Sequence, residues 1–149
     1  MRYLEDVGVG ESVELGSVVV DREELIAFAQ RYDPQLFHVD DDAAAQSPFG
    51  GVIASGWHTG AMFSRLCVDG FLNEFVNLGG QGFSEVRFLA PVRPGDRLWA
   101  SLEVLEARPS ESRPDRGTLT VLGTLRDQED RAVFTMQMSV RVARRPETG

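Results

Sequence analysis

The stretch Val133-Phe134-Thr135-Met136-Gln137-Met138-Ser139-Val140-Arg141-Val142 places apolar residues at 134, 136, 138, 140 and 142 and polar ones between them. That period of two is the pattern of a strand with one face in a core and the other toward water. Working upstream, three more stretches have strand character: Leu78 to Leu89, Arg97 to Ala107 with its alternating Ser101-Leu102-Glu103-Val104-Leu105, and Gly117 to Arg126. With Ala132 to Ala143 they make four strands in the C-terminal half. Pro94-Gly95-Asp96, the segment Pro109 to Arg116 and Asp127-Gln128-Glu129-Asp130 connect them, and the last is short enough for a hairpin. Connections this short favour antiparallel pairing.

The N-terminal half has a different rhythm. Glu11 to Val20 is short, β-branched and strand-like. Asp21-Arg22-Glu23-Glu24 has the spacing of a reciprocal helix cap, and Leu25, Ile26, Phe28 and Ala29 follow, so a helix is expected to run to Arg31 or Tyr32. Pro34 disfavours helical geometry at the residue before it, which places Asp33 at the helix exit and His38 in the loop beyond. Asp40 to Gln46 reads as a short helix with Asp40 as its cap, and Ser47-Pro48-Phe49-Gly50-Gly51 as a flexible connection. Val52 to Gly56 then leads into the longest apolar helical segment, Trp57 to Leu72, with Ala61, Met62, Leu66 and Val68, expected to be mostly buried. One strand, helices and then four strands make an α+β pattern, satisfied by a curved antiparallel sheet wrapped round the long helix. The expectation is a single domain over residues 1–149 with a polar tail, Arg144 to Gly149, that frays.

Composition narrows the partners. A formal charge of −8 with no basic stripe argues against nucleic acid. No apolar run reaches the roughly 20 residues of a membrane helix, and the first residues lack a signal-like apolar core, so a cytoplasmic protein is expected. Cys67, the only cysteine, lies in an apolar pattern and reads as core packing, with neither a disulfide nor a metal site expected. Gly79, Gly80 and Gly82 precede strand-like residues, unlike a dinucleotide loop, and are expected to bend or bulge the sheet.

The stretch from Phe28 to Leu66 resembles the signature region of MaoC-like dehydratases and (R)-specific enoyl-CoA hydratases, a branch of the hotdog superfamily. The elements that carry the resemblance are Tyr32-Asp33-Pro34-Gln35-Leu36-Phe37-His38, Asp40, and Phe49-Gly50-Gly51-Val52-Ile53-Ala54-Ser55-Gly56-Trp57-His58-Thr59. The later Val86-Arg87-Phe88-Leu89-Ala90-Pro91-Val92-Arg93-Pro94-Gly95-Asp96 resembles the strand and turn that follow in the family.

The resemblance implies a hotdog fold and reversible addition of water to an α,β-unsaturated acyl thioester, carried by coenzyme A or an acyl carrier, as in fatty acid metabolism. It implies Asp33 and His38 as the acid-base pair, and the Gly56 backbone N–H as the donor that polarises the thioester carbonyl. A donor at a helix start suits that role, because the first N–H groups of a helix are unpaired and the helix dipole favours negative charge there. No metal or redox cofactor is implied, and a chain with one hotdog is expected to form a homodimer or higher homo-oligomer.

Many hydratases of this group have Gly before the Asp and Asn-Pro before the apolar residue that precedes His. Here Tyr32, Gln35 and Leu36 stand at those places. Gln35 is a candidate to orient water or Asp33, and His58 a candidate for substrate contact beside Gly56. Arg87, Arg93 and Arg97 are candidates for the coenzyme A phosphates, against a plain surface role that is the more economical reading. Two rivals remain: a hotdog thioesterase directing water at the carbonyl carbon, and a non-catalytic acyl-CoA-binding hotdog.

Overall fold

The computed structural model describes residues 1–148. The strands are β1 (Ser12–Val19), β2 (Asn77–Phe88), β3 (Arg97–Pro109), β4 (Arg116–Arg126) and β5 (Ala132–Ala143). They form one antiparallel sheet in the order β1-β3-β4-β5-β2. The helices are α1 (Arg22–Tyr32), α2 (Leu36–Val39), α3 (Asp41–Gln46) and α4 (Gly56–Gly70). The fold is the α+β hotdog arrangement expected, with α4 packed on β1, β3 and β4.

The alternation that defines β5 becomes its register. Phe134, Met136, Met138, Val140 and Val142 face inward, Phe134 opposite Leu125 and Met138 opposite Val121 of β4. The Phe63 ring of α4 packs directly against Gly123 of β4. A Cβ at Gly123 would stand 2.1 Å from the Phe63 ring, so only glycine admits that ring. Gly79 and Gly82 take positive φ at register shifts in β2, as expected for bulges.

Three expectations are corrected. Helix α4 begins at Gly56, and only one face is covered: His58, Thr59, Met62, Phe63 and Cys67 are buried, Leu66 and Val68 half-buried, and Trp57 and Ala61 exposed. The long helix is therefore amphipathic toward the sheet, not buried all round. The reciprocal cap at α1 is half-made, because Asp21 accepts the Glu24 N–H at 2.9 Å while the Glu24 carboxylate turns to His58. His38 lies in the short helix α2, 4% exposed, because the chain after Pro34 turns back into a helical turn.

Asp40 caps α3 by accepting the Ala43 N–H. Of the tail expected to fray, Arg144 and Arg145 pair with Glu5 and Asp6, and Gly149 lies outside the described residues. Among the described residues no helix is long and apolar enough to cross a membrane.

Candidate active site

Asp33 is the C-cap of α1. Its N–H still closes the helix on Ala29 O at 2.8 Å, while its backbone has left helical geometry ahead of Pro34. That exit aims its carboxylate at two donors. Ser55 Oγ–H donates to Oδ2 at 2.7 Å and Gln35 Nε2 donates to Oδ1 at 2.9 Å. His38 Nε2 lies 3.4 Å from Oδ2. The Ser55 hydroxyl chiefly, then the Gln35 amide and the His38 charge, hold the Asp33 carboxyl below the usual carboxylate range against the opposing effect of burial.

One proton of the His38 ring is placed by its other nitrogen. Nδ1 is 2.7 Å from Ile53 O, which can only accept, so Nδ1–H donates there. Nε2 is thus the nitrogen that faces Asp33. The Phe37 ring meets the imidazole edge-on at 4.6 Å and helps fix its plane.

Ser55 is fully buried and is the N-cap of α4. Its Oγ accepts the Trp57 N–H at 3.2 Å while donating to Asp33. The Gly56 N–H, one residue on, makes no hydrogen bond among the described residues. A Cβ at Gly56 would stand 2.5 Å from Phe88 Cζ, so glycine is required for Phe88 to cover the helix start. Asp33, Gln35, His38 and Gly56 all line one cavity of about 1260 Å³, whose walls are otherwise mostly apolar and reach Met136, Met138 and Val140. A smaller hollow of about 460 Å³ on the sheet's outer face, beside Trp99 and Arg126, has no such acid-base pair.

The structure thus brings Asp33, His38, Gln35 and Gly56 together. His58 is not among the cavity-lining residues; it is buried between α4 and α1, bonded to Glu24 and stacked on Phe28, which leaves it no route to substrate. Arg87 pairs with Glu85, Arg97 bonds Ser17, and Arg93 donates to Phe49 O, tying the 47–51 loop to the cavity wall. Cys67 is buried at the cavity wall, its thiol pushed up to about 12 by desolvation. No cluster of three or more metal-ligating side chains is present among the described residues.

Ser55 is the residue that reading the sequence passed over. Its signal was a capping-type side chain at the entry to a helical run. Nothing local ties it to an aspartate 22 residues earlier.

Comparison with known proteins gives a consistent picture. Residues 6–124 match the family described as MaoC like domain. The uncharacterized protein YdeM of Bacillus subtilis is 33% identical over 142 residues, 95% of this chain and 99% of its own. Among solved structures, the MaoC-like dehydratase from Rhodospirillum rubrum superposes with a TM-score of 0.87 at 38% identity, covering 99% of this chain and 100% of that one. The R-hydratase PhaJ1 from Pseudomonas aeruginosa gives 0.74 at 25% identity, covering 99% and 91%.

Proposed function

Since the chain belongs to the MaoC-like dehydratase family, we propose that it is an (R)-specific enoyl-CoA hydratase/dehydratase acting on a coenzyme A or acyl-carrier thioester. The observation that carries this reading is the Asp33/His38 pair, 3.4 Å apart on the wall of the same cavity that the Gly56 backbone enters.

Hydration needs a base for water, a proton for the α-carbon and a donor for the enolate oxygen. A water held between Asp33 Oδ2 and His38 Nε2 attacks the β-carbon and loses one proton to the pair. The C=C electrons move onto the carbonyl oxygen, which accepts the Gly56 N–H, and they return as the pair delivers the proton to the α-carbon. One water is added, and the reverse order removes it. Ser55 and Gln35 fill other acceptor positions of Asp33 and so fix the direction in which its carboxylate meets the water.

A homodimer fits the surface. β2 is an edge strand whose every residue is exposed, Phe83 at 68% and Phe88 at 60%, and Trp57 on α4 is 77% exposed. Such apolar exposure beside an open strand edge favours cover by a second copy, which would then help wall the cavity.

A panel of enoyl-CoA substrates, run with wild type, Asp33→Asn and His38→Ala, tests the proposal. Loss of enone absorbance without free thiol, abolished in both variants, is expected. Thiol release identifies a thioesterase, binding without turnover identifies a binding protein, and equal turnover by all three proteins overturns the mechanism. Light scattering on the purified chain tests the dimer.

A further inference from the structure

Glu24, Phe28 and Tyr32 recur every fourth residue and form one stripe of α1, and Asp33 ends that helix as its C-cap. His58, two residues beyond Gly56 on α4, meets this stripe. Its Nε2 lies 3.1 Å from Glu24 Oε1, and its ring stacks on Phe28 with centroids 4.9 Å apart and planes 17° from parallel. Phe28 in turn touches Tyr32 at 5.2 Å.

The imidazole is 3% exposed, and its Nδ1 is buried with no hydrogen-bond partner among the described residues. That orphan nitrogen fixes the tautomer. A proton on Nδ1 would be a buried unpaired donor and would leave Nε2 facing a carboxylate, so Nε2–H donates to Glu24. A half-satisfied imidazole is an unfavourable choice for a helix face that otherwise buries Thr59, Met62, Phe63 and Cys67. It is not among the residues that line the cavity, although its neighbours Trp57 and Thr59 are, so substrate contact does not account for it.

Its position does. The helix exit bearing Asp33 and the helix start bearing Gly56 are tied at one point by the Ser55–Asp33 hydrogen bond. Leu25 and Ala29, both fully buried, hold α1 to the core, but apolar packing is non-directional and sets the helix's angle less sharply than a directed bond. Glu24–His58, with the stack on Phe28, is a second tie near the other end of α1, and two ties fix the angle between the helices. We infer that Glu24 and His58 are positioning residues, which hold the Asp33 carboxylate in register with the Gly56 N–H without touching substrate.

The test uses Glu24→Ala, Glu24→Gln and His58→Phe in the full chain. The Glu24 side chain is 67% exposed and sits in a helix, so its replacement by alanine preserves the fold. The chain has two histidines, so His58→Phe assigns both imidazole spectra by NMR. The His38 ring resonances are expected to move and broaden in Glu24→Ala and in His58→Phe, and to keep their wild-type positions in Glu24→Gln, which retains an acceptor.

The kinetic arm rests on the hydratase reading. Glu24→Ala should lower kcat about 3- to 10-fold with KM within about two-fold, part of the loss that a 1 Å misplacement causes. Glu24→Gln should restore kcat, and Glu24→Ala/His58→Phe should be no slower than the slower single variant. A lowered Tm with an unchanged His38 spectrum in both Glu24→Ala and His58→Phe overturns the inference, since a merely structural contact behaves that way. Absence of turnover in wild type defeats the hydratase reading instead, while the His38 spectra still decide the positioning role.

Discussion

Replacing Ser55 by alanine removes two interactions at once. The Oγ caps α4 by accepting the Trp57 N–H, and it donates to the Asp33 carboxylate at 2.7 Å. Loss of a cap costs about 1 kcal/mol, and loss of a hydrogen bond to a charged group about 1.5–3 kcal/mol. Asp33 is 19% exposed, so water compensates part of the second loss. A net destabilisation of about 2 kcal/mol at neutral pH follows, which for a chain of this size lowers Tm by roughly 4–8 °C.

The pH dependence has a definite sign. Asp33 is held below its ordinary 3.8 in the folded state, with Ser55 the largest cause. Its stabilisation is therefore present above the unfolded value and lost as pH falls through the folded one. Ser55→Ala returns the folded value toward 3.8, so the gap between wild type and variant should be full at pH 7 and narrow below pH 3.8 toward the cap's ~1 kcal/mol. The acid limb of kcat should move to higher pH. Thermal melts from pH 3 to 7, with turnover measured alongside, read all three quantities. A gap that stays constant across the acid range, or an unmoved acid limb, refutes the assignment of Ser55 as the group that holds Asp33 ionised.

Gln35→Ala removes the other side-chain donor to Asp33 from an exposed position, so the acid limb should shift in the same direction but less than in Ser55→Ala, with Tm unchanged. Gly56→Ala puts a Cβ 2.5 Å from a Phe88 ring that is 60% exposed and free to swing aside. It should cost no more than about 1–2 kcal/mol in a denaturant titration yet reduce hydration at least about ten-fold, because the carbonyl loses its close approach to the backbone donor. Gly123→Ala meets the Phe63 ring at 2.1 Å, and that ring is fully buried, so overpacking should cost about 3 kcal/mol. Phe63→Leu in the same chain should recover part of the lost Tm; a variant as stable as wild type contradicts the packing described.

The amino-acid sequence by itself determined the strands, the capped helices and the place where α1 ends. Alternation in β5, the Asp21 and Asp40 caps and the effect of Pro34 on Asp33 all act within a few residues of chain, so their consequences can be read along it. The family resemblance carried by Tyr32 to Thr59 likewise brought forward Asp33, His38, Gln35 and Gly56, and with them His58, which does not line the cavity.

Tertiary structure alone decided what each group is bonded to. Ser55 reaches Asp33 across 22 residues, Glu24 reaches His58 across 34, and Ile53 O places one ring proton of a histidine 15 residues earlier. These partners depend on how α1 and α2 lie against the start of α4, and that packing is set by the whole sheet beneath, including the one glycine that lets Phe63 approach. The half-burial of α4 has the same origin. A helix's apolar stripe can be read from its period, but how much of it is covered depends on which strands lie under it: α4 packs on β1, β3 and β4, while β2, at the far edge of the sheet, meets it through Phe88 at Gly56.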